Sequence, residues 1–153
     1  MPKPQLLTRI RAALAEQHAV MTAAADDARQ NATGDETKSD GKYDTRAVEA
    51  AYLAGAQAEQ AAKLAESMQH FESFDPPTYD EDGEIGPGAL VETEHNGEIV
   101  FYLLAPAAGG LTVEHDGFEA TVLTPESRLY QALLGQSAGK LLDDPPLMVL
   151  AVE

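Results

Sequence analysis

The chain has 153 residues, a formal net charge of −16 and no cysteine. That length allows one ordinary domain or two small ones. The missing cysteine excludes disulfides and thiolate metal sites and points to a reducing, cytoplasmic setting, while the charge argues against docking on the outside of a nucleic-acid duplex, whose phosphates would repel it. A hydrophobic fraction of 44% can supply a real core. The first residues lack the apolar run of a signal peptide, and no stretch approaches the roughly 18 apolar residues of a membrane span.

The first predicted element runs from about Gln5 to Asn31. Leu7, Ile10, Leu14, Gln17, Met21, Ala24, Ala28 and Asn31 recur in steps of three and four, the seam of a coiled-coil helix. A second helix, from about Tyr43 to Phe71, carries Tyr43, Ala47, Ala50, Ala54, Gln57, Ala61, Leu64, Met68 and Phe71 at the same spacing. Alanine density favours helix in both. In an antiparallel pair, facing residues have numbers with a near-constant sum. Leu7 with Met68, Leu14 with Ala61, Met21 with Ala54 and Ala28 with Ala47 all sum to 75; Ile10 with Leu64, Gln17 with Gln57, Ala24 with Ala50 and Asn31 with Tyr43 all sum to 74. This register predicts a helical hairpin in which Gln17 faces Gln57. Such a pair either fixes alignment inside the seam or turns out to solvent.

Between the helices lies "NATGDETKSDGKY", residues 31–43, with Asp35, Glu36 and Asp40 among Lys38 and Lys42. The register puts the hairpin tip at Thr37, about 40 Å along an arm rising about 1.5 Å per residue. The segment fails as a calcium loop: Asp35, Thr37 and Ser39 alternate, but the sixth position is Asp40 rather than glycine and the twelfth is Arg46. Two readings stand: a solvated turn, or carboxylates presented to a divalent ion, with Asp35 joined by Asp40 or Glu36. One open tip makes a poor site alone, so the second reading has the acids delivered into another protein's metal site.

Residues 73–88, "SFDPPTYDEDGEIGPG", read as an irregular junction, and beyond it the period changes from helical to alternating. Asn96-Gly97 and Asp116-Gly117 each separate two β-rich runs, a strong hairpin signal. Ser127 to Leu134 reads as a short helix capped by Ser127 and stopped by Gly135, and "PLMVLAVE" as a last strand. The expectation is an α+β chain: a helical hairpin over 1–75 with its acidic tip at 32–42, a linker over 76–87, and over 88–153 a small domain of four or five antiparallel strands with one short helix. Charge divides the same way. Residues 1–75 hold 12 acids and 8 bases, whereas 76–153 hold 14 acids and only Arg128 and Lys140. His18, His70, His95 and His115 show no metal-ligand spacing and read as surface or edge residues. No phosphate loop or supported nucleophile is present, so the chain is not expected to be an enzyme.

The architecture resembles the bacterial GreA/GreB family of transcript cleavage factors. The family segment Ser-Pro-Leu-Gly-Arg-Ala-Leu-Leu-Gly, three residues, then Gly-Asp is matched here at Ser127, Leu129, Ala132, Leu133, Leu134, Gly135 and Gly139. Arg128, Tyr130, Gln131 and Lys140 depart from it. The resemblance implies an FKBP-like C-terminal domain docked at the rim of the RNA polymerase secondary channel. It also implies a hairpin that enters the channel, and tip acids that help hold the second magnesium of the polymerase active site, so that the polymerase cleaves backtracked RNA at its 3′ end. The family's tip reads Gly-Asp-Leu-Ser-Glu. Gly34-Asp35 matches its start, but Lys38 stands at the second acid, or Ser39 when Tyr43 is the anchor. Asp40 and Glu36 are then the candidates for that role. Two other expectations stay open: a non-cleaving channel regulator, and an acidic adaptor for an unrelated basic partner. A monomer is expected, since a channel-entering arm needs a free tip.

Overall fold

The computed structural model describes residues 2–33 and 45–153. Its elements in chain order are α1 (Lys3–Thr33), α2 (Thr45–Glu72), β1 (Leu90–His95), β2 (Glu98–Leu104), β3 (Thr112–His115), β4 (Phe118–Leu123), α3 (Arg128–Leu133), β5 (Leu141–Asp143) and β6 (Pro146–Val152). Two compact units result. One is Ala12–Gln69; the other combines Met1–Arg11 with His70–Glu153. An N-terminal helical pair and a small sheet domain with one short helix is the α+β architecture expected above.

In the helical unit the seam of α2 is the predicted one. Ala47, Ala50, Ala54, Gln57, Ala61, Leu64 and Met68 are half-buried while most of their neighbours are exposed. On α1, Leu14 and Ala28 are buried and Met21 and Ala24 half-buried. Thr22 and Ala25 line one groove with Ala51 and Ala54, so the two helices lie side by side in antiparallel order. The glutamine pair is not formed. Gln17 is exposed and shares a groove with Gln60 and Leu64, whereas Gln57 is half-buried with an Oε1 that has no hydrogen-bond partner among the described residues. On α1 His18, next in sequence to Gln17, is half-buried. A helix repeat of 3.6 residues drifts off a strict three-four alternation, and here the drift turns Gln17 outward.

The sheet of the second unit has the order β3-β4-β2-β1-β6-β5. It holds six strands rather than four or five, because Leu141–Asp143 adds a short β5. It is antiparallel except for β2 beside β4, which run parallel with Val100 opposite Glu119 and Leu104 opposite Leu123. Both predicted hairpin turns form, with positive φ at both central residues: 53° and 83° at Asn96-Gly97, 50° and 82° at Asp116-Gly117. That geometry matches the right-handed strand twist and is why an Asx-Gly pair stands there.

Side-chain alternation gives the sheet two buried faces. Val91, Leu104, Leu123, Val149 and Val152 pack with Tyr130 and Leu133 of α3 and with Ile85 and Leu142. Leu90, Leu103, Ala120 and Val122 point the other way and are also buried, as are Leu6 and Ile10 of α1 and Phe71 of α2. Phe71 meets Phe74 edge-on at 5.4 Å. The 73–88 junction is irregular but tied down. Ile85 N donates to Gln136 O, Gly88 N to Leu104 O and Val152 N to Glu81 O, at 2.8, 2.8 and 3.0 Å. Gly88, at φ 87°, leaves no room for a side chain, since a Cβ would stand 2.8 Å from Pro76.

Candidate functional site

Asp35, Glu36 and Asp40, the candidate catalytic and metal-directed acids, lie outside the described residues, as do Lys38, Ser39 and Lys42. The described chain supplies their frame. The acidic segment 34–44 connects the end of α1 to the start of α2, helices of 31 and 28 residues. Near these ends Arg29 pairs with Asp26, one turn earlier on α1. Among the described residues no group of three or more His, Asp or Glu side chains could hold a metal ion, and no helix is long and apolar enough to cross a membrane.

The segment that carries the family resemblance is α3 with its flanks. Ser127 caps the helix, its Oγ accepting from Tyr130 N at 3.4 Å. Leu133 is fully buried and Tyr130 nearly so, both facing the core. Gly135 and Gly139 sit at φ 77° and 87°, where a side chain would strain the backbone. Their amides donate to Ile85 O and Val149 O at 2.8 and 2.7 Å. The two matching glycines therefore meet a backbone requirement, and the matching Leu133 a packing one. Tyr130, which departs from the pattern, fills the same core. In the loop before α3, the Thr124 hydroxyl holds the exposed Glu126 carboxyl below its usual range. Arg128 stands 3.8 Å from Asp144 with both side chains exposed, a pair worth little to stability.

Lys3 is a structural residue that sequence reading missed. It is 5% exposed, and its Nζ donates to Pro77 O, Gly88 O and Glu153 O at 2.7, 3.1 and 2.7 Å. Its backbone N donates to Glu153 Oε1 at 3.2 Å, and the ammonium lies 5.5 Å from the centre of the Tyr79 ring. Burial lowers its pKa and Glu153 partly restores it. One side chain thus ties the first turn of α1 to the junction and to the residue after β6. Arg11 adds a second tie, with Nε and Nη2 donating to Phe71 O and Phe74 O at 2.9 and 3.2 Å. A lysine between two prolines reads as solvated; only the carbonyls gathered by the fold give it another role.

His115 is expected at the surface or an edge. It lies on the edge strand β3, yet is only 2% exposed. The sheet further carries a cleft of about 310 Å³ lined by Leu90, Phe101 and Tyr79 with Glu81, Glu92 and Glu153 at its walls.

No protein-family model and no curated protein sequence matches the chain. Among solved structures it is similar to the crystal structure of GreA factor homolog 1 (Gfh1) of Thermus thermophilus, at 18% identity over 97% of this chain and 93% of that one, with a TM-score of 0.37. It is also similar to Thermus aquaticus Gfh1, at 19% identity over 95% and 92%, with a TM-score of 0.34. At TM-scores under 0.5 neither likeness decides family or function.

Proposed function

We propose that this chain is a Gre-like transcription elongation factor. It binds RNA polymerase through the secondary channel and stimulates cleavage of backtracked RNA by lending tip carboxylates to the catalytic magnesium. The observation that carries the reading is the placement of the acids: 34–44 joins two long helices that pair along an alanine seam. Helices with small seam residues can approach closely and make an arm thin enough for a channel. In this reading Asp35 is the main metal-directed acid, with Asp40 or Glu36 as the second.

Carboxylates are hard oxygen donors and fit magnesium, which takes only one or two from any protein and fills its shell with water and phosphate. The magnesium belongs to the polymerase, so the chain is a stimulator and not itself an enzyme. The acids would help hold that magnesium beside the RNA 3′ end, and the bound metal would supply the positive charge that stabilises the attacking and departing oxygens. The strongly acidic sheet unit would repel the RNA backbone and favour a basic protein surface at the channel rim. A monomer working in the cytoplasm is the form this requires.

A second reading has a specific motive. Lys38 or Ser39 stands where the resembled family has its second acid, so the tip could enter the channel without completing a metal site and inhibit instead. One experiment separates the two: RNA cleavage in a stalled, backtracked polymerase complex, with binding followed in parallel. The first reading predicts faster cleavage that disappears in Asp35→Ala with binding retained. Binding with slower elongation and no added cleavage would overturn it in favour of the second.

A further inference from the structure

The ring of His115 stands edge-on to Phe101, centroids 4.7 Å apart at 78°, and Phe101 in turn lies 6.1 Å from Phe118. The Nδ1 atom is buried and has no hydrogen-bond partner among the described residues. His115 is the last residue of the four-residue edge strand β3 and pairs with Phe118 across the Asp116-Gly117 turn. The preceding carbonyl, Glu114 O, accepts a hydrogen bond from Arg9 Nη1 of α1 at 3.1 Å. One titratable ring thus sits where the tip of the β3–β4 hairpin, strand β2 and the base of α1 meet.

We propose that His115 is an acid-sensitive latch: when protonated it leaves its seat against Phe101, opening the end of the β3–β4 hairpin and the Arg9 tie that joins it to α1. A neutral imidazole can leave one nitrogen without a partner at modest cost. An imidazolium carries N–H donors on both nitrogens and a full charge, and the aromatic seat offers Nδ1 no acceptor. Its surroundings mostly oppose protonation. Burial lowers the pKa of His115 most; among the described residues Arg9 acts in the same direction and the Glu153 carboxylate acts against them. Glu114 and Glu119 pair with each other one position along the strands, on the opposite face. The way out is short, because β3 is an edge strand and its last pair borders an exposed turn.

The sign follows from linkage. A histidine whose folded pKa lies below its usual 6.5 contributes fully above that value, and the contribution is lost as pH falls from 6.5 toward the folded pKa. One proton makes the opening equilibrium rise by up to about tenfold per pH unit in that window. The test is amide protection, corrected for intrinsic exchange, in β3, β4 and the first turns of α1 between pH 7.5 and 5, in wild type, His115→Phe and His115→Gln. The expected result is a loss of protection on acidification confined to these segments and absent from whichever variants fold. The same loss in a folded variant, or unchanged wild-type protection down to pH 5, would overturn the proposal. Ring-proton titration of the wild type gives an independent reading. His115 should titrate below the usual 6.5 of an imidazole, and titration at or above that value would contradict the latch. The latch is independent of the polymerase reading.

Discussion

The two units reach stability by different means. Of the buried apolar side chains among the described residues, only Leu14 and Ala28 lie in the helical unit; Leu6, Ile10, Phe71, Leu103, Leu104, Leu133 and the rest lie in the sheet unit. The helical unit keeps Val20, Val48, Tyr52 and Leu53 exposed. An alanine seam lets helices come close but buries little area, so this unit depends on helix propensity and cooperative length, and the sheet unit on a packed core. A packed core and an alanine seam thus divide stability unequally between the two units. This division predicts that protection against exchange falls from the sheet unit to the helical one.

The largest expected effect comes from breaking the core that holds the helix bases. Phe71→Ala should cost about 3–5 kcal/mol by emptying a fully buried site. Tyr52→Ala, at a residue 82% exposed, should stay within about 0.5 kcal/mol. Denaturant midpoints of the two variants check this, and equal losses would erase the contrast between the units. Next comes Lys3→Met, which keeps the apolar stem and removes three donors from Pro77, Gly88 and Glu153. A loss of about 3 kcal/mol is expected, since hydrogen bonds to a charged group are each worth about 1.5–3 kcal/mol and part of that is recovered through hydration. A neutral effect would mean that the ammonium's desolvation cancels its bonds. The smallest effect sharpens the helical side. Gln57→Leu should raise stability by about 1 kcal/mol by replacing a buried oxygen that has no partner among the described residues, and Gln17→Leu should change almost nothing at an exposed position. Thermal melts of the two single variants separate these outcomes.

Much of the fold was legible because its signals are local. The α2 seam follows from helical periodicity, the two Asx-Gly turns from the positive φ they demand, and α3 from Ser127 at one end and Gly135 at the other. What escaped depends on partners distant in sequence. β5 has three residues and no pattern of its own. The parallel pairing of β2 with β4 depends on how β3 folds to the edge. Lys3 is buried only because carbonyls from residues 77, 88 and 153 converge on it. His115 is buried although it stands on an edge strand, with Phe101 edge-on to its ring and Arg9 of α1 bonded to the carbonyl before it. The candidate acids were readable as a composition, Asp35 with Glu36 and Asp40, but composition does not choose between a solvated turn and a metal-directed tip.

The central claim is that those acids serve the magnesium of another protein. Its most direct test is the magnesium dependence of RNA cleavage in a backtracked polymerase complex at saturating factor, for wild type and Asp35→Asn. The account predicts that wild type moves half-maximal cleavage to lower magnesium and that Asp35→Asn, while still bound, returns it to the value without factor. Identical magnesium dependence in wild type, the variant and the factor-free complex would contradict it.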